Sequence, residues 1–151
     1  MEAIYHKVGI RGAASDVVNA LTTQQGLAGW WTNDVKGKFG VGDSIRFTFG
    51  DKGFFDMKVE AADSDRVAWQ CTDGPEDWIG SHINFELRPG TGPDGAAMTL
   101  VFFRHRDWRR ISELTAHCST KWAVFLLSLK SLVETGRGQP SPDDIKIDDW
   151  N

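Results

Sequence analysis

The sequence predicts an α+β domain: an antiparallel sheet of six or seven strands wrapped around one long C-terminal helix, with two short helices after the first strand. Three observations predict it. Between Ser44 and His105 apolar residues alternate with polar ones in short runs broken by Gly- and Asp-rich turns, the pattern of strands covered on one face. From about Arg109 the spacing changes to three and four, the stripe of a helix buried on one side. Between the first strand-like run and Trp31 lie two short helical segments.

Each element has its own signal. Ile4, His6, Val8 and Ile10 alternate as a first strand, ended by Gly12. Ser15 is placed to cap a helix carrying Val17, Val18 and Leu21, with Asp16 in the first turn where the helix dipole favours it. Thr22-Thr23 breaks that helix, and Gln24 to Trp31 forms the second. In Ser44 to Phe49 the residues Ile45, Phe47 and Phe49 share a face; Gly50-Asp51-Lys52-Gly53 is a hairpin turn, and Phe55, Met57 and Val59 continue that face. Val67, Trp69 and Cys71 follow, then a loop over Asp73 to Asp77, then Ile83, Phe85 and Leu87. The last strand, Ala97 to His105, is apolar on both parities, so its inward face stays open. Ile111, Leu114, Cys118, Trp122, Phe125, Leu129 and Leu132-Val133 form the helical stripe of Arg109 to Thr135. Gly136 stops it, and Pro140 and Pro142 bar its continuation. Residues 1–142 make the domain, and residues 143–151 an acidic tail: a mobile end, or a strap packed by Ile145, Ile147 and Trp150.

Composition narrows the function. A chain of 151 residues fits one domain. Seventeen basic against 21 acidic side chains give a net charge of −4, which argues against a nucleic-acid binder. The basic cluster Arg104-His105-Arg106 with Arg109-Arg110 reads as a strand end and a solvated loop. Cys71 and Cys118 suit small buried apolar residues, not a disulfide framework. The start carries no basic leader with an apolar core, and Trp122 to Leu129 is too short to span a membrane, so a cytoplasmic location is expected. The four histidines have no metal-like spacing, no Gly-x-Ser-x-Gly context surrounds a serine, and no metal or cofactor is expected. The departure from the ordinary is aromatic: seven Trp and nine Phe beside one Tyr, enough to fill a core or line a cavity.

The order of elements resembles the helix-grip arrangement of the START-like (SRPBCC) superfamily, which includes lipid-transfer START domains, the birch-pollen-allergen group and polyketide cyclases. At residue level, VVNALTTQQGLAGWW (Val17 to Trp31), Val101 to His105 and WAVFLLSLKSLVETGRGQP (Trp122 to Pro140) are similar to bacterial homologues of the activator of the heat-shock-protein-90 ATPase. The resemblance implies a hollow between sheet and long helix that holds a hydrophobic or aromatic small molecule, and associates the chain with stress response. It implies a chaperone contact or a homodimer less directly. The eukaryotic activators match only in their second half and grip the chaperone with a separate N-terminal domain that has no counterpart here.

On that frame the candidate lining of the hollow is Trp30, Trp31, Phe47, Phe49, Phe55, Met57, Trp69, Trp78, Ile83, Phe85, Phe103, His105, His117, Trp122 and Phe125. Trp30-Trp31 would close its entrance, or plug the core end. His105 and His117 could meet at its mouth as polar ligand contacts; hydrogen-bonded structural histidines are the simpler reading. The alternative function is a cyclase-like or hydrolase-like enzyme using one of them as acid or base. Because no carboxylate falls on the inward parity of a clean strand, a binding protein is the leading expectation.

Overall fold

Alternation and turn chemistry build the sheet. In the computed structural model, which describes residues 3–149 and 151, β1 (Ala3–Ile10) leads into α1 (Ala14–Thr22) and α2 (Gln24–Ala28). Then come β2 (Asp34–Gly37), β3 (Ser44–Thr48), β4 (Phe54–Ala62) and β5 (Arg66–Asp73). A 3-10 turn (Glu76–Trp78) precedes β6 (His82–Thr91), β7 (Ala97–Arg106) and α3 (Glu113–Thr135). The seven strands form one antiparallel sheet in the order β1-β7-β6-β5-β4-β3-β2. The α+β helix-grip architecture is therefore the one observed.

Ile45, Phe47, Met57, Val59, Val67, Trp69, Cys71, Ile83, Phe85 and Leu87 all face inward, as their parity requires. In β7 the inward set is Thr99, Val101, Phe103 and His105. Phe102 points outward beneath cations, with the Arg88 guanidinium 4.4 Å and the Lys7 ammonium 5.7 Å from its ring centre. That cover explains why this strand reads as apolar on both faces.

Four boundaries differ from expectation. Strand β2 gave no alternation because it is four residues long with one buried side chain, Val35. Helix α1 starts at Ala14, so Ser15 lies inside it; its cap is the Ala13 carbonyl alone, which accepts from Asp16 and Val17. Helix α2 is capped by the Thr23 hydroxyl, which accepts from Gly26 N–H at 3.0 Å, and ends at Ala28, so Trp30 and Trp31 lie beyond it. Helix α3 starts at Glu113, not Arg109. Ser112 Oγ accepts from Leu114 N–H, and Thr115 Oγ1 accepts from Ser112 N–H. Ile111 is left outside the helix and exposed.

The end of α3 behaves as expected: Gly136, at φ 83°, takes the left-handed turn and donates to the Leu132 carbonyl. Beyond it the chain folds back as a strap. Ser141 N–H donates to Trp31 O and Asn33 N–H to Ser141 O, while Gln139 N–H meets Ser128 Oγ. Among the described residues past Pro142, Ile147 is half-buried and an ion-pair cluster holds the strap. Asp144 is buried between Lys121 and Lys146, whereas Ile145 is 57% exposed. Trp150, the other expected anchor, lies outside the described residues.

Candidate functional site

A hollow of about 430 Å³ opens where the first half of α3 stands away from the sheet. The β3–β4 hairpin supplies Phe49, Lys52, Gly53, Phe54 and Phe55; the segment after β5 supplies Gly74, Pro75 and Trp78. From α3 come Leu114, His117, Cys118, Lys121, Trp122 and Phe125; Trp31 and Asn151 complete the wall. Gly74 makes this arrangement possible. Its φ of 138° disfavours a side chain, and a Cβ there would sit 2.8 Å from the Phe54 carbonyl, so the 3-10 turn could not close onto the hairpin.

Four rings pack against one another to form one wall of the hollow. Trp31 and Phe55 lie 5.8 Å apart at 15°, Phe55 and Trp78 4.1 Å at 28°, Trp78 and Trp122 6.1 Å at 23°, Trp122 and Trp31 5.1 Å at 31°. Phe49 meets Trp31 and Phe55 edge-on. Stacked and edge-on pairs are both preferred arrangements of aromatic rings.

Of the candidate lining residues, Trp31, Phe49, Phe55, Trp78, His117, Trp122 and Phe125 come together in this wall. Trp30, Phe47, Met57, Trp69, Ile83, Phe85, Phe103 and His105 do not: each is 2% exposed or less and packs in the core behind it. Trp31 is the divider, stacked on Trp69 (5.9 Å, 9°) from one side and lining the hollow from the other. Trp30 is tied into the core, its indole donating to the Ala20 carbonyl at 2.9 Å.

The two histidines do not meet. His105 is fully buried; its Nδ1 accepts from Trp122 Nε1 at 3.1 Å, which leaves the ring proton on Nε2 to donate to Ser81 Oγ at 2.8 Å. Burial pulls its pKa down to about 3, so the imidazole is neutral and structural. His117 stands at the rim, with Nδ1 3.1 Å from an Asp148 oxygen and Nε2 3.4 Å from the Asn151 amide.

The helix contributes more polar groups than its stripe suggested. Lys121 Nζ donates to Asp144 and, at 2.9 Å, to the Ile145 carbonyl, and lies 5.0 Å from the Phe125 ring centre. Burial pushes the Asp144 carboxyl up, but hydrogen bonds from Lys121 and Lys146 outweigh it and hold the group below the usual carboxylate range. Burial pushes the Cys118 thiol up to about 12 against a smaller lowering by the Trp78 N–H, so it stays protonated. That N–H is buried without an oxygen or nitrogen partner. Leu114, Cys118, Lys121 and Phe125 recur at four, three and four residues, a spacing that marks the helix face toward the hollow. Among the described residues no carboxylate lines the hollow, and its walls offer apolar contact with a few polar groups at the rim.

Comparison with known proteins places this geometry. A dimeric Aha1 from Colwellia psychrerythraea, solved in solution, is 42% identical, covers 91% of this chain and 100% of its own, and superposes with a TM-score of 0.79. The chain belongs to the Aha1-like family. That family's helix-grip frame extends to more distant structures. DynU16, a putative protein in the dynemicin biosynthetic locus, is 22% identical over 91% of this chain and 49% of its own (TM-score 0.74). A protein from Staphylococcus saprophyticus is 15% identical over 93% and 98% (TM-score 0.72). These two share the fold. No family model and no curated protein matches the chain. No described helix is long and apolar enough to cross a membrane.

Proposed function

We propose that this Aha1-like chain is a binding protein that holds a flat, hydrophobic or aromatic small molecule in the hollow between the β3–β4 hairpin and the first half of α3. The observation that carries it is the wall of Trp31, Phe55, Trp78 and Trp122, packed ring against ring beside an open space of about 430 Å³. That space is within the range of small-molecule sites. A bicyclic aromatic ligand burying about 200 Å² gains roughly 5 kcal/mol at 25 cal/mol per Å², hence a Kd on the order of 0.1–1 mM before any polar contact. Any proton transfer to a bound molecule would fall to His117, since His105 is sealed in the core.

Calorimetry with 1-naphthol tests the reading. Binding should occur with a negative heat-capacity change and vanish in Leu114→Trp, which fills the hollow. Equal binding by that variant, or none by the wild type with either 1-naphthol or a fatty acid, would remove the hollow as a ligand site. The Colwellia relative is a dimer, and we infer that this chain also pairs; a strictly monomeric mass at high protein concentration would exclude that.

A further inference from the structure

The outer face of the sheet, remote from the hollow, carries charge of the opposite sign to the rest of the molecule. Register places two neighbouring rows across β1, β7, β6 and β5. Lys7, Phe102, Glu86 and Arg66 make one, and Tyr5, Arg104, Asn84 and Ala68 the other. With Arg88, all of these but the buried Ala68 line a groove of about 530 Å³. Four cations against the single carboxylate of Glu86 give the groove +3; because the whole chain carries −4, everything outside the groove carries −7. Such separation steers association, since a face of one sign attracts a partner of the other.

The cations are also prepared for contact. Lys7, Arg66 and Arg104 make no ion pair among the described residues, and all three are exposed. Arg88 lies over Phe102 at 4.4 Å and Arg104 near Tyr5 at 5.0 Å, so their guanidiniums rest on rings, an arrangement that lowers the cost of ordering them. Within the second row the Asn84 amide oxygen is buried without a partner among the described residues. We propose that this face docks an acidic, extended segment of a partner protein, its carboxylates meeting Arg104, Lys7 and Arg66. A nucleic acid fits less well. The Phe102 ring is already covered by Arg88 and Lys7 instead of open for base stacking, and a long polyanion would meet the −7 remainder.

The test uses an acetylated, amidated peptide alternating Glu and Gly, a Gln-Gly peptide of the same length, and oligodeoxythymidine. Titration of isotope-labelled protein at low salt should shift the amides of the two rows with the Glu-Gly peptide alone. Binding should weaken about tenfold or more in Lys7→Glu/Arg104→Glu and with added salt, and should weaken less in Arg104→Gln. Since these side chains are exposed, the variants should keep the wild-type melting temperature and bind 1-naphthol unchanged. Equal binding of the Gln-Gly peptide, unaltered binding by the double variant, or tighter binding of the oligonucleotide would overturn the proposal. Salt-sensitive self-association abolished by Arg104→Glu would also overturn it, assigning the face to a second copy of the chain.

Discussion

Acidification from pH 7 to pH 5 should cost about 2 kcal/mol of stability through His105 alone. In the unfolded chain an imidazole titrates near 6.5. In the fold, His105 is buried, its Nδ1 faces the Trp122 N–H, and its pKa is pulled down to about 3. Charging it would set Nδ1–H against that indole donor. Between those two values the unfolded state takes up a proton that the folded state refuses. Stability is fully present above about pH 6.5 and declines below it by about 1.4 kcal/mol per pH unit, which over the 1.5 units to pH 5 gives about 2 kcal/mol. His105→Gln isolates this contribution, because glutamine can still accept from Trp122 and donate to Ser81 but does not titrate. Urea unfolding at both pH values should show the wild type losing about 2 kcal/mol more than the variant, with the other histidines cancelling in the comparison. The same pH loss in both proteins, or an imidazolium signal from folded His105 at pH 5, would refute the reasoning.

Three further outcomes are expected from the same unfolding assay. Trp122→Ala should cost about 3–5 kcal/mol through lost packing and an orphaned His105 Nδ1; Phe125→Ala, equally buried but orphaning no hydrogen-bond partner, should fall at the lower end of that range, about 3 kcal/mol. Asp144→Asn should cost about 3–5 kcal/mol by leaving Lys121 buried beside a neutral group, and Lys121→Met/Asp144→Leu should cost less than that single change. The Asp144 contribution is present above the ordinary carboxylate range, near pH 4, and should be lost as pH falls through its lowered folded value.

The inward parity of β3 to β6 was legible because a period of two cannot be satisfied any other way once one face is covered. Strand β2 was not, since Val35 alone gives no period. The inward face of the last strand stayed open because Phe102 finds its apolar cover in Arg88 and Lys7, a pairing across strands that linear order does not display. At the site, Trp31, Phe55, Trp78 and Trp122 were within reach, but parity alone could not separate wall from core. Phe47 and Phe55 are directly paired across β3 and β4, yet only Phe55 borders the hollow. What separates them is their cover: Phe47 is closed over by Trp31 at 4.4 Å and Trp69 at 5.5 Å, whereas Phe55 meets Trp78 in the wall. The burial of Lys121 leaves no mark in the sequence, because its counter-charge, Asp144, lies in a tail whose fold-back depends on contacts with Trp31 and Ser128.

The central claim is that the ring-walled hollow, and not the core behind it, receives a ligand. The tryptophan side chains report on this directly, because the rings of Trp31, Trp78 and Trp122 line the hollow while those of Trp30, Trp69 and Trp108 do not, so that a ligand alters the surroundings of the first three indoles. On titrating isotope-labelled protein with 1-naphthol, the first three indole resonances should shift together along one saturable curve, with Trp78, whose N–H lacks an oxygen or nitrogen partner, moving most. The other three should stay near their starting positions. Saturating ligand that leaves Trp31, Trp78 and Trp122 unmoved, or that shifts all six alike, would contradict the account.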